Sequence, residues 1–257
     1  KVVKPLWERI PETASRVRGR IEQVLGWATV HHYRSGDNPA RWSGLLEHAL
    51  PSRRDVAKVE HYAALPYAQI PAFMAKLRQD SSVGTRCLEF IALTAARLGE
   101  ANGATWDEID LDARLWTVPA RRMKGKKEHR VPLSDAAIAV LKSMHVIRRS
   151  DYVFPGARKG RPIGENTMGR IGKQAAGGDI TTHGLRSSFR DWAAERTSFP
   201  REVAEMALAH AIPNAVEAAY RRGDLFEKRR RLMDAWAEFC GKPQGAPKVV
   251  SIAGLRR

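Results

Sequence analysis

Six residues of the chain have side chains that could act together on an anionic group. They are two arginines, two histidines, a lysine and a tyrosine, in the chain order Arg97, Lys124, His183, Arg186, His210 and Tyr220. Guanidinium and ammonium groups bind anions, imidazoles exchange protons near neutral pH, and a phenol can be activated as a nucleophile. Packing in a hydrophobic core does not explain this combination of side chains, so we treat the six residues as a candidate site.

The two cations that come first in the chain also have purely structural interpretations. Arg97, in TAARLGE, lies at the predicted end of a buried-looking helix, and Glu100 could pair with it there. Lys124 lies within RRMKGKKEHR, residues 121–130, where a predicted strand ends and a basic hairpin turn begins. Such a hairpin tip can enter a nucleic-acid groove, but charge runs are also common on solvated faces.

The segment THGLRSSFRDWAAE predicts an anion pocket at a helix start. Thr182 can cap a helix beginning at His183, and His183 and Arg186 are three residues apart on one helical face. Backbone amides, an imidazole and a guanidinium together suit a phosphate. A histidine near a cap is also common as a capping or surface residue, so this pair alone is a weak signal.

The segment MALAHAIPNAVEAAYRRGD, residues 206–224, contributes the last two members. His210 closes one predicted short helix, and Tyr220 lies on the next, after the Ile212-Pro213 break. The two side chains can therefore face one cavity from different elements. The alternative for the tyrosine is a core residue whose hydroxyl reaches the surface.

The charge balance points to a polyanionic partner. The formal net charge is +16 over 257 residues, with 43% hydrophobic residues as in an ordinary globular protein. Cys87 and Cys240 lie far apart, which argues against a disulfide scaffold or a thiolate metal site. No apolar run is long enough to cross a bilayer, so we expect no membrane partner. Since the first residue is Lys1, we expect the chain to be part of a longer protein.

The hydrophobic pattern predicts a mainly α-helical chain in four parts. Residues 1–50 are expected to form a helical domain, in which an amphipathic helix from Glu12 places Val24 on its apolar stripe and Arg18 away from it. Asn38 and Pro39 are expected to start a shorter helix. Residues 51–66 are predicted to be a linker, residues 67–240 a second domain and residues 241–257 a mobile tail.

Within residues 67–240 a small sheet is predicted among helices. A first helix from residue 83 is expected to end at Gly99 or Gly103, and TWDEIDL, RLWTVPA and HRVPL indicate a three-stranded antiparallel sheet. Ser134 and Asp135 are expected to cap the next helix. Further helices are predicted at 165–175, 183–196, 200–209, 213–221 and 224–239.

Taken in order, these motifs resemble the catalytic domain of tyrosine recombinases, most closely the integrases of prophages and genomic islands. The resemblance covers nearly the whole chain and rests on RLGE, DEIDLDARLWTVPARRMK followed by HRVPLS, THGLRSSFRDWAAE, LAH and AAYRR. Single motifs are weak, but the ordered set is highly specific. It implies the tyrosine recombinase catalytic fold, preceded by a partial helical domain.

The resemblance implies that the six residues occupy the active-site positions of a DNA strand transferase. Tyr220 would attack a DNA phosphodiester, giving a 3′-phosphotyrosine and a free 5′-hydroxyl, so that rejoining needs no ATP. His183 is then the better candidate for the base, and Lys124 would protonate the departing 5′-oxygen.

The remaining three residues would bind the phosphate. Arg97 and Arg186 would hold its non-bridging oxygens, and His210 would donate to one of them. The sequence shows no carboxylate cluster suited to Mg²⁺, so we expect neither a metal nor another cofactor.

The resemblance also implies the partners: double-stranded DNA attachment sites, a homotetramer on DNA, DNA-bending accessory proteins, and the bacterial cytoplasm and nucleoid as location. The last helix, DLFEKRRRLMDAWAEF, is predicted to dock into a neighbouring protomer, although packing on its own domain is the alternative. Its apolar face consists of Leu225, Leu232, Met233 and Trp236. The run from Lys228 to Arg231 is predicted to be solvated.

The chain departs from the family pattern in two ways. Where the family more often has Leu-Gly-His, this chain has Leu208, Ala209 and His210, a change we expect to be mild. Prophage integrases also carry an N-terminal arm-binding domain and a full core-binding domain, and only the last part of the latter is expected here.

Three other functions fit parts of the pattern. A type IB topoisomerase would cut and rejoin one strand without exchanging partners. A non-catalytic DNA-binding regulator could keep the fold, although the full set of six residues counts against it. An RNA-binding protein is a poorer fit, because no aromatic RNA-stacking motif is present.

Overall fold

The computed structural model describes residues 3–56, 63–210 and 223–242. The chain divides into two compact units, Lys1–His61 and Tyr62–Arg257. The finer division into residues 1–50, 51–66, 67–240 and 241–257 stays a prediction. In the described ranges, none of the helices has the length and apolar character needed to cross a membrane.

The first unit is built around one long helix. Its helices are α1 (Lys4–Trp7), α2 (Pro11–Val30) and α3 (Arg53–Val56), with a 3-10 turn at Leu46–His48. The buried Trp7 holds the unit together, because its indole N–H donates to the Pro51 carbonyl at 2.9 Å and its ring stacks on Trp42 at 5.3 Å.

Three sequence expectations fail in this unit. Val24 is 64% exposed, whereas the side chain of Arg18 is only 13% exposed and bonds to Glu22 at 2.5 Å. The shorter helix predicted after Asn38 does not form. Asn38 instead accepts from the Ala40 N–H at 3.0 Å and donates to the Glu22 carbonyl at 2.8 Å. An asparagine that bonds to nearby backbone in this way stabilises a turn rather than a helix start.

The second unit contains the other helices and the sheet. Its helices are α4 (Ile70–Leu77), α5 (Val83–Thr94), α6 (Leu98–Asn102), α7 (Asp135–Val146), α8 (Glu165–Ala176), α9 (Thr182–Arg196), α10 (Arg201–Ala207) and α11 (Phe226–Gly241). Ser134 caps α7 as predicted, since its hydroxyl accepts from the Ala137 N–H at 3.4 Å. The helix predicted at 213–221 lies outside the described residues.

The predicted three-stranded antiparallel sheet is confirmed, in the order β1, β2, β3. The strands are β1 (Ile109–Asp110), β2 (Leu115–Val118) and β3 (His129–Pro132). In the register of β2 and β3, Val118 pairs with His129 and Trp116 with Val131. Alternation along β2 buries Trp116, which packs against Phe90 of α5 at 5.2 Å. The sheet is therefore anchored to the helical core.

Helix α5 ends earlier than predicted. Ala95 has φ +50°, in the left-handed region that ends helices, so α5 stops at Thr94 rather than near the glycines. A new helix, α6, starts after Arg97. The arginine that we expected at the end of a helix therefore occupies the N-cap position of the next one.

Helix α11 packs on its own unit, which corrects two expectations. Leu232, Met233 and Trp236 are at most 1% exposed, and the Trp236 indole donates to the Ala92 carbonyl at 2.7 Å. The predicted docking of this apolar face into a neighbour is wrong, because the core already covers it. Arg229, which we expected to be solvated with its basic neighbours, is 1% exposed.

Candidate active site

Arg97 is positioned by its own helix cap and by a distant turn. The Glu100 carboxylate accepts from the Arg97 backbone N–H at 3.1 Å and from its Nη1 at 2.8 Å. Nη2 donates to the Ala209 carbonyl at 3.1 Å, across 112 residues of sequence. The side chain is still 28% exposed, so the guanidinium can meet a further anion from the open side.

Arg186 is the most buried of the five candidate residues that the structure describes, at 4% exposure. It donates to the Ala95 carbonyl and, from Nη2, to the Leu208 carbonyl at 2.7 Å, while its buried Nε has no partner in the described structure. Burial and the charge of Arg97 lower the pKa of Arg186 to about 10, so it stays protonated at neutral pH. A buried guanidinium beside a second one is a costly arrangement that an anion would relieve.

Both arginines thus bind carbonyls of one turn, residues 208–209, which leads to His210. Ala209 has φ +49°, a conformation that glycine adopts without strain and alanine does not. The Ala209 substitution that we expected to be mild therefore falls at a strained position. This turn places the His210 Nε2 3.4 Å from Arg186 Nη2.

Glu205 fixes the other side of the His210 ring. Its Oε2 lies 2.6 Å from Nδ1, and its backbone carbonyl accepts from the His210 N–H at 3.0 Å. Burial raises the pKa of Glu205, but hydrogen bonds from Arg190 and His210 outweigh that effect, and the pKa is lowered overall. An ionised carboxylate on Nδ1 keeps a proton there and directs Nε2 into the site. Sequence reasoning missed Glu205, although its i, i+5 spacing to His210 was visible.

His183 lies in the first turn of α9, which begins one residue earlier than predicted. The N-cap is Thr181, whose hydroxyl accepts from the Gly184 N–H at 2.9 Å, and not Thr182. A distant segment, residues 63–65, packs closely on this turn, since a Cβ on Gly184 would overlap the Ala63 carbonyl and Ser188 donates to the Leu65 carbonyl.

The surroundings of His183 favour its neutral form. Partial burial lowers its pKa, and the positive charges of Arg186, Arg97 and His210 lower it further. A neutral imidazole can accept a proton, whereas an imidazolium cannot.

The other two predicted residues are not brought into this cluster by the described structure. Lys124 is exposed on the ten-residue connection between β2 and β3, residues 119–128, directly after the buried Met123. The strand ends six residues earlier, at Val118, so Lys124 lies within the connection rather than at the strand end. Tyr220 lies outside the described residues.

His129, the first residue of β3, is a further histidine close to the site. Burial lowers its pKa to about 4, and Arg229 and Arg97 lower it as well, while Glu100 and a hydrogen bond to the Ala207 backbone act in the opposite direction. The ring is therefore neutral at pH 7, and its hydrogen bond to the Ala207 backbone links β3 to α10. We did not single it out in the sequence, because one histidine in a basic run carries no local signal of burial.

The cluster is a cationic pocket with a proton acceptor and a proton donor. Two guanidinium groups, His183 and the carboxylate-held His210 surround it, and the Arg97 charge is partly offset by Glu100. Such a set binds an anion and can move protons on it. Among the described residues, no group of three or more His, Cys, Asp or Glu side chains could hold a metal ion.

Comparison with known proteins identifies the family. Residues 64–225, more than half of the chain, match the phage integrase family, and residues 1–45 match the phage integrase central domain. The chain belongs to the phage integrase family. The family resemblance seen in the sequence motifs is confirmed.

Named relatives of this integrase-family chain come from prophages and phages. It is 36% identical over 249 residues to the prophage integrase IntA of Escherichia coli (strain K12), covering 93% of this chain and 57% of that protein. It is 30% identical over 249 residues to the integrase of Enterobacteria phage P4, covering 89% and 55%. The chain thus spans a little over half the length of these relatives.

Solved structures share the fold. The integrase from mycobacterium phage Brujita matches with a TM-score of 0.53 and 18% identity, covering 90% of this chain and 77% of that one. A lambda integrase(75-356) dimer bound to a COC′ core site matches with a TM-score of 0.57 and 18% identity, covering 78% and 72%. The mainly α-helical fold with its small antiparallel sheet is therefore that of the integrase catalytic domains.

Replacing Glu205 with glutamine is expected to slow reaction at the site about 10–100-fold with little change in DNA affinity. The amide keeps the size of the side chain but no longer holds the Nδ1 proton of His210 as a carboxylate does. Single-turnover cleavage of a DNA substrate measures the effect. Glu202→Gln, an exposed change on the same helix, is the control. Equal rates for Glu205→Gln and wild type would show that the carboxylate does not orient His210.

His129 is expected to make stability depend on pH. Its folded pKa of about 4 lies below the ordinary value of 6.5. Between pH 6.5 and about pH 4, the unfolded chain therefore binds a proton at His129 that the folded chain does not bind. The free energy of unfolding falls as the pH is lowered through this range. The contribution of His129 lowers the free energy of unfolding by about 2 kcal/mol from pH 7 to pH 5.

Urea unfolding of His129→Gln at the two pH values tests this expectation. Glutamine does not titrate and can keep a hydrogen bond to the Ala207 backbone, so the loss of stability on acidification should shrink by about 2 kcal/mol. His145→Gln, at an exposed histidine of the same unit, should leave it unchanged. The same pH dependence in wild type and His129→Gln would contradict the assignment.

Proposed function

We propose that this protein catalyses site-specific DNA recombination, integrating and excising a prophage or related element through a 3′-phosphotyrosine intermediate. The observation that supports it most is the convergence of Arg97, Arg186 and His210 on the 208–209 turn from three distant parts of the chain. That convergence forms a cationic pocket for a single phosphate in a chain of the phage integrase family. As an enzyme it is a tyrosine site-specific recombinase acting in the bacterial cytoplasm, on the nucleoid.

In the proposed cleavage step, the Tyr220 oxygen attacks phosphorus in line and the 5′-oxygen of the next nucleotide departs. His183, whose pKa is lowered by partial burial and by its cationic surroundings, accepts the phenolic proton. Lys124 protonates the departing oxygen, so a neutral 5′-hydroxyl is released. The reverse attack by a 5′-hydroxyl of the partner strand rejoins the DNA and frees the tyrosine.

The phosphate oxygens gain charge in the transition state, and the pocket is arranged to receive it. Arg97 and Arg186 bind the two non-bridging oxygens, and Glu205 keeps the His210 Nε2 directed at one of them. Because backbone carbonyls fix both guanidinium groups beforehand, they need little reorganisation when the charge develops. These roles require neither a metal nor another cofactor.

The proposed substrate is double-stranded DNA at attachment sites, bound by several copies of the protein. The net charge of +16 supports an affinity dominated by phosphate contacts. Solved relatives of the same fold include a lambda integrase tetramer bound to a Holliday junction, which supports a homotetramer here. The surface that joins the protomers is not the apolar face of α11, which the unit's own core covers. DNA-bending accessory proteins belong to the same proposal.

The proposal is tested by trapping the intermediate on a nicked duplex whose 5′ fragment diffuses away after cleavage. Incubated in EDTA, the wild-type chain should form a covalent adduct that survives a denaturing gel, and peptide mass spectrometry should place the nucleotide on Tyr220. Absence of an adduct despite DNA binding would contradict the enzymatic function. Relaxation of supercoiled plasmid without strand exchange would instead favour a type IB topoisomerase.

A further inference from the structure

Arg229 is a buried cation that the proposed reaction does not use. It lies on α11 with 1% exposure, within the run KRRR whose neighbours Lys228 and Arg231 are exposed. Replacing a buried ion pair with apolar side chains is often neutral or stabilising, so fold stability alone does not require an arginine there. Only a guanidinium supplies several hydrogen-bond donors in a fixed planar arrangement, and the contacts of Arg229 use this property.

The three nitrogens of Arg229 join two segments of the chain. Nε and Nη2 bind the Asp224 carbonyl and carboxylate, both at 2.7 Å, and Nη1 donates to the Arg130 carbonyl of β3. The Arg130 side chain closes the cluster, since its guanidinium lies 3.3 Å from the Asp224 carboxylate and 4.2 Å from the centre of the Phe226 ring. The start of α11 is thereby fastened to the start of β3.

The start of β3 is where the basic connection carrying Lys124 returns to the sheet. Its other end is fixed by Arg122, which binds the Glu108 carboxylate and the Glu100 carbonyl. His129 is held from a second side by the Ala207 backbone. Both ends of the exposed stretch 124–128 are thus tied, and Arg229 supplies the tie at the β3 end.

We propose that Arg229 is a positioning residue for Lys124, which holds the end of the 124–128 stretch so that the ammonium reaches the departing 5′-oxygen. This inference rests on the proposed function, in which Lys124 is the general acid. Arg229 touches neither DNA nor the reacting atoms in this role, and it acts only through the Arg130 carbonyl and the path of the connection.

The test compares two substrates that differ in their need for an acid. In one duplex the departing atom at the scissile phosphate is the normal 5′-oxygen, and in the other it is sulfur, whose thiolate leaves without protonation. At saturating DNA, Arg229→Met should cleave the oxygen substrate about 10–100-fold more slowly than wild type and the sulfur substrate at nearly the wild-type rate. Arg229→Lys should recover part of the loss, because one ammonium cannot replace all three bonds.

Arg231→Met, an exposed change on the same helix, is the matched control and should cleave both substrates normally. Equal slowing of both substrates by Arg229→Met, or no slowing of either, would overturn the proposal. A fold that is merely weakened loses activity on both. Should Arg229→Met fail to fold, Arg229→Lys decides by the same comparison.

Amide hydrogen exchange tests whether Arg229 holds this stretch, independently of whether the protein cleaves DNA. Exchange over residues 124–131 should speed up in the Arg229 variants and not in Arg231→Met, whether or not the protein cleaves DNA. Unchanged exchange would refute the tie itself. If wild type cleaves neither substrate, the proposed function fails, while the exchange result still decides whether Arg229 holds this stretch.

Discussion

Replacing Tyr220 with phenylalanine is expected to abolish the covalent protein–DNA adduct while leaving DNA affinity within about twofold of wild type. The change removes one oxygen atom, which is the proposed nucleophile, and leaves every cationic contact to phosphate in place. Denaturing gels measure the adduct, and fluorescence anisotropy of a labelled duplex measures the affinity.

The matched control is Tyr67→Phe, which removes the same atom from a tyrosine whose hydroxyl donates to the exposed Glu195 at 2.9 Å. That variant should form the adduct like wild type. An adduct that persists in Tyr220→Phe would assign the nucleophile to another residue. A non-catalytic regulator would form no adduct as wild type or as Tyr220→Phe, and its DNA binding would be the same in both.

Replacing Arg186 with methionine is expected to slow strand cleavage by about a thousandfold or more at saturating DNA. The variant loses a guanidinium that the Ala95 and Leu208 carbonyls hold in place and that is proposed to bind the phosphate. It also leaves those two carbonyls without their donor, at about 1–3 kcal/mol for each buried group. Single-turnover cleavage and urea unfolding measure the two effects separately.

Arg186→Lys separates charge from geometry at this position. An ammonium keeps the positive charge but cannot bind two carbonyls and a phosphate oxygen in one plane, so most of the loss in rate should remain. Arg196→Met, at an exposed arginine on the same helix, should change neither rate nor stability. A folded Arg186→Met that cleaves within about tenfold of wild type would remove Arg186 from the proposed transition-state contacts.

The sequence by itself predicted the elements whose signals are local. Alternation and turn residues were enough for the three-stranded sheet, and the Ser134 cap followed from one hydroxyl and its helix. The six candidate residues were selected by type, order and motif, and three of them, Arg97, Arg186 and His210, meet at one turn. The assignment of catalytic roles to the six stays a prediction.

The tertiary structure decided which partner each charged side chain takes. Nothing near Arg186 in the sequence indicates that it binds the Ala95 carbonyl, 91 residues away, or that Arg229 in a basic run is the buried member. The same holds for the apolar face of α11, which the sequence could not assign to its own core or to a neighbour. Burial and pairing depend on contacts between distant segments, whereas periodicity and capping depend on neighbours along the chain. The sequence could therefore propose the residues of the site, while the fold set their distances and partners.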